Sequence, residues 1–169
     1  MGLLGDTIET PHQLFAHKLG AALTMEDTIL GMLDTLQAEA QGTTLRQQLQ
    51  QHRKETQQQI DNLLRCFDAL GEDPDRQPCP AIEGLEKEGN AMLRQVDERL
   101  ADSVILSAVI ETEHHEVAVY DNLIIQAEVI GEDDVIALLN ENLEQEDVTL
   151  EKAVKASEQL AKELAGQAA

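Results

Sequence analysis

The sequence has very few aromatic residues: its 169 residues include two phenylalanines, one tyrosine and no tryptophan. Proline is scarce as well, and three of the four prolines lie close together at Pro74, Pro78 and Pro80. Because β-sheets favour aromatic and β-branched residues, this composition disfavours a sheet protein and favours an all-α fold. The length is typical of one domain, so we expect residues 1–169 to form a single domain.

Basic residues are also few, since 12 Lys and Arg stand against 33 Asp and Glu, for a formal net charge of −21. Nucleic acids and anionic membranes are polyanions that bind basic surfaces, so we expect neither as a partner. The ends, Met1-Gly2-Leu3 and Gly166-Gln167-Ala168-Ala169, lack the basic tail that DNA-protecting Dps proteins use. The periodic Leu, Ile and Val residues argue against a disordered chain.

Long hydrophobic segments are absent. No run of about 18 apolar residues predicts a membrane span, and the first residues lack the basic and apolar segments of a secretory signal. We therefore expect a cytoplasmic protein. Cys66 and Cys79 fit no metal-binding or redox spacing, so we interpret them as ordinary reduced thiols.

Apolar residues recur with the 3.6-residue period of an α-helix in four long segments. They predict helices at about 11–40, 43–70, 102–130 and 133–165. Thr10-Pro11-His12-Gln13 has the pattern of a capping box with proline at the first helical position. Gly42, Gly71 and Gly131 each follow a helical segment, and we expect each to provide a left-handed cap residue.

The connections predict the topology. Only a few residues join the first helix to the second and the third to the fourth, so each pair forms an antiparallel hairpin. Residues 71–101 join the two hairpins and are long enough to cross the length of a bundle, with a short helix predicted at Ala81–Leu93. Two antiparallel hairpins with a long crossover form the ferritin-like four-helix bundle, which is the fold we predict.

Acidic residues interrupt the apolar stripe of every long helix. Unpaired buried carboxylates cost several kcal/mol, so acids at inward positions indicate a bound cation. Counted from the two predicted turns, acids of all four helices lie within about one helical turn of the same height. The candidate metal ligands are Glu26, Glu55, Glu113, Glu116 and Glu146, with His52 one turn before Glu55.

Carboxylates from four helices are typical of a site for two divalent ions, and hard oxygen ligands favour iron or manganese. The usual ferritin-like pattern has Glu-x-x-His on two helices, whereas this chain has His52-x-x-Glu55 and Glu113-x-x-Glu116. His52 fits a hydrogen-bonded core histidine as well as a ligand, and Glu113 alone would suffice on the third helix. Tyr120 fits core packing better than electron transfer to a metal.

The sequence resembles the YciF-like family of ferritin-like bacterial stress proteins, whose function is uncharacterised. The resemblance covers about residues 11–160. It rests on His52-x-x-Glu55-Thr56-x-x-Gln59-Ile60-x-x-Leu63, Ala81-Ile82-Glu83-Gly84-Leu85-x-x-Glu88, Glu113-His114-x-Glu116-x-x-x-Tyr120 and Glu146. The resemblance implies a ferritin-like homodimer expressed under stress, with a rubrerythrin-type two-metal centre at the candidate ligands above. The chain departs from the family at His115, where an aromatic is expected, and at Gln145, where a second acid often precedes the ligand.

Two functions from different classes are consistent with these features. The first is an oxidoreductase whose di-iron or di-manganese centre oxidises Fe(II) or reduces peroxide or oxygen. The second is a non-catalytic, homodimeric binding or structural stress protein whose buried acids are hydrogen-bonded and hold no functional metal.

Overall fold

The computed structural model describes residues 7–167, and every regular element in that range is helical. In chain order the helices are α1 (Pro11–Glu39), α2 (Thr43–Leu70), α3 (Pro80–Leu93), α4 (Ala101–Ile130) and α5 (Asp133–Gln167). A single 3₁₀ turn, Glu98–Leu100, precedes α4. The predicted all-α class is confirmed. The prediction about basic tails falls partly on residues 1–6 and 168–169, which lie outside the described residues.

Local signals set most of the helix ends. The Thr10 side chain accepts a hydrogen bond from the backbone N–H of Gln13, and the Gln13 side chain accepts one from the backbone N–H of Thr10, so the predicted capping box is confirmed. Gly71 and Gly131 have φ angles of 70° and 82° and end α2 and α4 as left-handed caps. Glycine adopts this conformation without the steric cost that a Cβ would add.

The prediction for Gly42 was wrong. Its φ is −72°, and it is the residue before α2 rather than a left-handed cap of α1. The backbone N–H groups of Gln41 and Gly42 donate hydrogen bonds of 2.7 and 2.8 Å to the carboxylate of Asp102, in the first turn of α4. The side chain of Asp102, which is distant in sequence, therefore accepts the hydrogen bonds of this turn. The sequence had predicted a left-handed glycine at this point instead.

The long helices pack in a closed order: α1 contacts α2 and α4, and α5 contacts α4 and α2. Only residues 40–42 join α1 to α2, and only residues 131–132 join α4 to α5, so the chain reverses direction at both points. The three aromatic residues, Phe15, Phe67 and Tyr120, are all buried in the core between these helices. Within residues 7–167, no helix is both long and apolar enough to cross a membrane.

The segment between α2 and α3 crosses the surface of α1 at Gly20. The backbone N–H of Gln77 donates to the carbonyl of Gly20 at 3.1 Å, and Arg76 pairs with Asp27 at 2.5 Å. A Cβ on Gly20 would lie 2.0 Å from the carbonyl oxygen of Asp75, so only glycine permits this approach. Beyond this crossing, α3 packs mainly against α4.

Candidate metal centre

Four of the predicted site residues come together near the middle of the long helices. His52 of α2, Glu113 and Glu116 of α4 and Glu146 of α5 each offer one ligand atom, and these atoms all lie within 4.8 Å of one another. The three carboxylates are fully buried, and His52 is only 4% exposed. The mid-height positions counted from the turns thus correspond to side chains that meet in space.

Glu26 of α1 is fully buried beside these four residues. Its Oε1 accepts a hydrogen bond from the hydroxyl of Tyr120, whereas its Oε2 has no partner. Burial, followed by the charge of Glu146, raises the pKa of Glu26 to about 8. This carboxyl therefore interacts electrostatically with the group although it lies outside the tightest set of ligand atoms.

Glu55 lies at the edge of the cluster. It is half-buried, and its Oε1 accepts a hydrogen bond of 3.0 Å from Nε2 of Gln51. It is not one of the four grouped residues, although its charge contributes to the raised pKa of Glu146. Together with His52 it lines a cavity of about 180 Å³ among α2, α4 and α5, with Leu49 and Ala153 among its apolar walls. Glu55 therefore faces the cavity beside the cluster.

The electrostatics of the cluster favour protonated carboxyls when no cation is bound. Burial raises the pKa of Glu113 to about 8 and raises those of Glu116 and Glu146 well above the usual value. Neighbouring carboxylates add to the shift, because like charges disfavour ionisation. Among the described residues, no lysine or arginine forms an ion pair with these glutamates.

Among the described residues, the basic group that contacts the buried acids is His52. Its Nε2 lies 2.9 Å from Oε1 of Glu113, although the two atoms are not aligned as a hydrogen bond and that oxygen has no other donor. The Nδ1 of His52 is buried and also has no partner. The imidazole thus contacts the carboxylates without being fixed by a hydrogen bond on either side.

Among the described residues, many buried oxygen atoms of the cluster have no hydrogen-bond donor other than a neighbouring protonated carboxyl: one oxygen of Glu26 and both oxygens of Glu113, Glu116 and Glu146. An unsatisfied buried polar atom costs about 1–3 kcal/mol. Divalent cations with a preference for carboxylate and imidazole ligands would satisfy these atoms. The residues present therefore fit a site for divalent cations held by carboxylates and an imidazole.

Sequence reasoning missed a set of buried amides next to this site. The Nδ2 of Asn142 donates to the hydroxyl of Tyr120 at 3.1 Å and to the backbone carbonyl of Gln59 at 3.2 Å. The Nδ2 of Asn62 donates to Oδ1 of Asn142 at 2.8 Å. Asn142 lies one helical turn before Glu146, so its position on the inward stripe of α5 was the available signal.

The remaining histidines and the cysteines near the site play no part in the cluster. His114 is exposed, and His115 lies 3.9 Å from the sulfur of Cys79 through its Nε2. Burial lowers the pKa of His115. Cys66 is fully buried, and burial raises the pKa of its thiol to about 12, which makes it a poor nucleophile.

Comparisons with known proteins agree with this picture of the fold. The family model described as "Domain of unknown function (DUF892)" matches residues 10–166. Protein YciF of Escherichia coli (strain K12) is 28% identical over 144 residues, which are 84% of this chain and 87% of YciF.

Solved structures give the same result. The crystal structure of the E. coli stress protein YciF has a TM-score of 0.87 at 26% identity, over 92% of this chain and 99% of that one. YcfI from Rhodopseudomonas palustris has a TM-score of 0.86 at 34% identity, over 89% and 97% of the two chains. The resemblance drawn from the sequence motifs is confirmed: this chain belongs to the DUF892 family and is similar to the stress protein YciF.

Proposed function

We propose that the four long helices form a ferritin-like four-helix bundle in which α1–α2 and α4–α5 are the hairpins. The closed order of helix contacts supports this proposal, as do the short connections within each pair. The connection from α2 to α4, with α3 inside it, then serves as the long crossover of this fold. Similarity to YciF over most of both chains is consistent with it.

We further propose that the bundle binds two divalent cations, iron or manganese, through Glu26, His52, Glu113, Glu116 and Glu146. The observation that carries the proposal is the set of buried carboxylate oxygens from three helices that have no partner. Buried polar atoms in folded proteins are nearly always paired, so a cluster of unpaired carboxylate oxygens favours a bound cation. Glu55 joins the ligands only if its side chain turns from Gln51 toward the cluster.

Bound iron or manganese would supply Lewis acidity and one-electron redox chemistry. The chain's own residues hold the carboxylates at the centre, bury them from water and carry the protons that a metal must displace. The cavity lined by His52 and Glu55 gives small molecules a way toward the cluster. We infer from these features a stress-related oxidoreductase that acts on Fe(II), peroxide or oxygen.

Metal analysis tests this function directly. Protein stripped with chelator and reloaded anaerobically with Fe(II) or Mn(II) is expected to retain about two ions per chain, the number of a dinuclear centre. The variant Glu116→Gln should lose bound metal, whereas Glu111→Gln, an exposed position on the same helix, should not. Fewer than about one ion per chain in the reloaded protein contradicts the proposal. Peroxide-dependent oxidation of added Fe(II) then tests the reaction.

A second candidate is a structural stress protein that needs no metal. The raised pKa values of Glu113, Glu116 and Glu146 favour it, because neutral carboxyls can remain buried without a cation. The description of YcfI suggests a structural role for that protein. This function predicts that Fe(II) and Mn(II) leave the melting temperature unchanged and that Glu116→Gln is at least as stable as the unmodified chain.

We also propose that two copies of the chain associate as a homodimer. Leu14, Ile125 and Val129 are 39%, 58% and 78% exposed, and they line one shallow depression between the start of α1 and the end of α4. Contiguous exposed apolar surface is typical of a protein–protein interface. This surface is therefore the one that we expect a second copy to cover.

A further inference from the structure

A continuous chain of side-chain hydrogen bonds runs from the surface of α2 to Glu26. The guanidinium of Arg65 donates to Oδ1 of Asn62 at 3.0 Å, and Nδ2 of Asn62 donates to Oδ1 of Asn142 at 2.8 Å. The Nδ2 of Asn142 donates to the hydroxyl oxygen of Tyr120 at 3.1 Å, and that hydroxyl donates to Oε1 of Glu26. The chain therefore connects α2, α5, α4 and α1 in turn.

Every donor in this chain points toward Glu26. The orientation of Asn142 is fixed because its Nδ2 also donates to the backbone carbonyl of Gln59, an oxygen that can only accept. The Tyr120 oxygen accepts from Asn142, so its single proton is directed to the carboxylate. Hydrogen bonds aligned head to tail polarise one another, and here they run from the guanidinium of Arg65 to the carboxyl of Glu26.

The middle of the chain is buried. Asn62 is 2% exposed, and Asn142, Tyr120 and Glu26 are fully buried. Burying amides and a phenol is costly unless each finds its partners, and apolar residues of similar volume would fill the same space without that requirement. Burying these polar side chains costs free energy, and their hydrogen bonds end on a single oxygen of Glu26. This arrangement points to a role at Glu26.

We propose that Asn142 and Asn62 are positioning residues that, through the Tyr120 hydroxyl, hold Glu26 by its Oε1 so that Oε2 is the oxygen that binds metal. This proposal rests on the metal site proposed above. Glu113, Glu116 and Glu146 differ, because both of their oxygens have no partner and are available to bridge. The hydrogen-bond chain would thereby make Glu26 a ligand through Oε2, whereas Glu113, Glu116 and Glu146 would each offer both oxygens.

A double-mutant cycle with Mn(II) tests this role. Asn142→Leu and Tyr120→Phe are each made in the unmodified chain and in a Glu26→Gln background, and the Kd for Mn(II) is measured by electron paramagnetic resonance of the free ion. In the unmodified background we expect each variant to weaken binding by about 10- to 100-fold, the usual effect of removing an outer partner of a ligand. In the Glu26→Gln background the same changes should alter Kd by less than about twofold, because they act through the ligand already removed.

Two further measurements separate positioning from a general loss of packing. The visible absorption of bound Co(II) is expected to change in Asn142→Leu and Tyr120→Phe, since the coordination of Glu26 changes. Thr56→Val is the matched control: Thr56 is fully buried, but its hydroxyl bonds only to the carbonyl of His52 in its own helix. This control should leave the Kd within about twofold and the Co(II) spectrum unchanged.

Several results overturn the proposal. Equal losses of Mn(II) affinity in both backgrounds mean that the variants disturb packing. Unchanged Mn(II) affinity in the unmodified background means that the hydrogen-bond chain does not act on Glu26. If Asn142→Leu does not fold, Tyr120→Phe, which keeps the ring, decides the question. An unmodified protein that binds no Mn(II) refutes the metal site itself, and the positioning role falls with it.

Discussion

Raising the pH from 6 to 8 is expected to destabilise the metal-free protein. Burial is the main cause that raises the pKa values of Glu26 and Glu113 from 4.5 to about 8. Between pH 4.5 and about pH 8, the carboxyls of the folded protein keep protons that the unfolded protein has released. Because the folded state binds more protons, the free energy of unfolding falls as the pH rises through this interval.

The size of the effect follows from these values. A carboxyl with a pKa of about 8 when folded and 4.5 when unfolded loses about 2 kcal/mol of stabilisation between pH 6 and pH 8. Glu113 acts in the same direction, but its loss does not simply add to that of Glu26, because the charge of Glu26 contributes to the raised pKa of Glu113. Glu116 and Glu146, whose pKa values are raised well above the usual value, act in the same direction. Since a domain has about 5–15 kcal/mol of stability in all, the loss is easily measured.

The assay is urea unfolding of chelator-stripped protein at pH 6, 7 and 8 and constant ionic strength, followed by circular dichroism. Glu113→Gln, which is neutral at every pH, should reduce the pH dependence. Glu111→Gln, at an exposed position on the same helix, should leave it unchanged. A free energy of unfolding that is constant or rises from pH 6 to pH 8 would refute the reasoning. Saturating Mn(II) is expected to oppose the loss, because metal binding displaces protons and tightens as the pH rises.

Three further predictions concern single positions. Metal analysis after Mn(II) loading should find much less metal in Glu146→Gln than in Glu55→Gln, because Glu146 belongs to the buried cluster and Glu55 does not. Equal loss of metal in the two variants would place Glu55 among the ligands. Gly20→Ala should lower the melting temperature, since its Cβ would lie 2.0 Å from a carbonyl oxygen of the crossover, whereas Gly31→Ala, with open space around it, should gain about 1 kcal/mol. Val129→Lys should make the protein elute as a monomer in size-exclusion chromatography if the exposed apolar surface is a dimer interface, and an unchanged elution volume would exclude that interface.

The helix positions were predictable because the signals that set them are local. The capping box at Thr10 and the glycines at 71 and 131 act within a few residues of the helix ends that they define. The conformation of Gly42 was not predictable in this way. Its turn is fixed by Asp102, 60 residues away in sequence, and no local pattern reveals that partner.

The candidate site was predictable to the level of the helix face. Acids on an otherwise apolar stripe must be buried when the stripe is buried, and Glu113, Glu116 and Glu146 are. Position on a stripe does not fix the direction of a long side chain, however. His52 and Glu55 lie one turn apart on α2, and the structure brings the imidazole rather than the carboxylate into the cluster.

The buried amides were not predictable for a related reason. Asparagine on an inward stripe signals a polar contact, but its partner is set by packing between helices. Asn62 and Asn142 are separated by 80 residues and meet only because α2 lies against α5. Tyr120 likewise reaches Glu26 across 94 residues of sequence. The chain of hydrogen bonds is thus a product of the tertiary arrangement.

The strong negative charge of the chain does not by itself account for the buried acids. Most of its 33 acidic residues can lie in water at little cost, whereas burying a carboxyl such as Glu116 or Glu146 costs free energy that an apolar side chain does not. The overall acidity of the chain therefore does not explain why these carboxyls are buried. If the proposed metal site exists, bound cations offset the free-energy cost of burying them. A cation at 100 times its Kd stabilises the folded state by about 2.7 kcal/mol, which is similar to the stabilisation that one carboxyl loses between pH 6 and pH 8. Metal supply and pH then act on the same carboxyls with opposite sign, and the stability of the fold becomes a measure of metal occupancy.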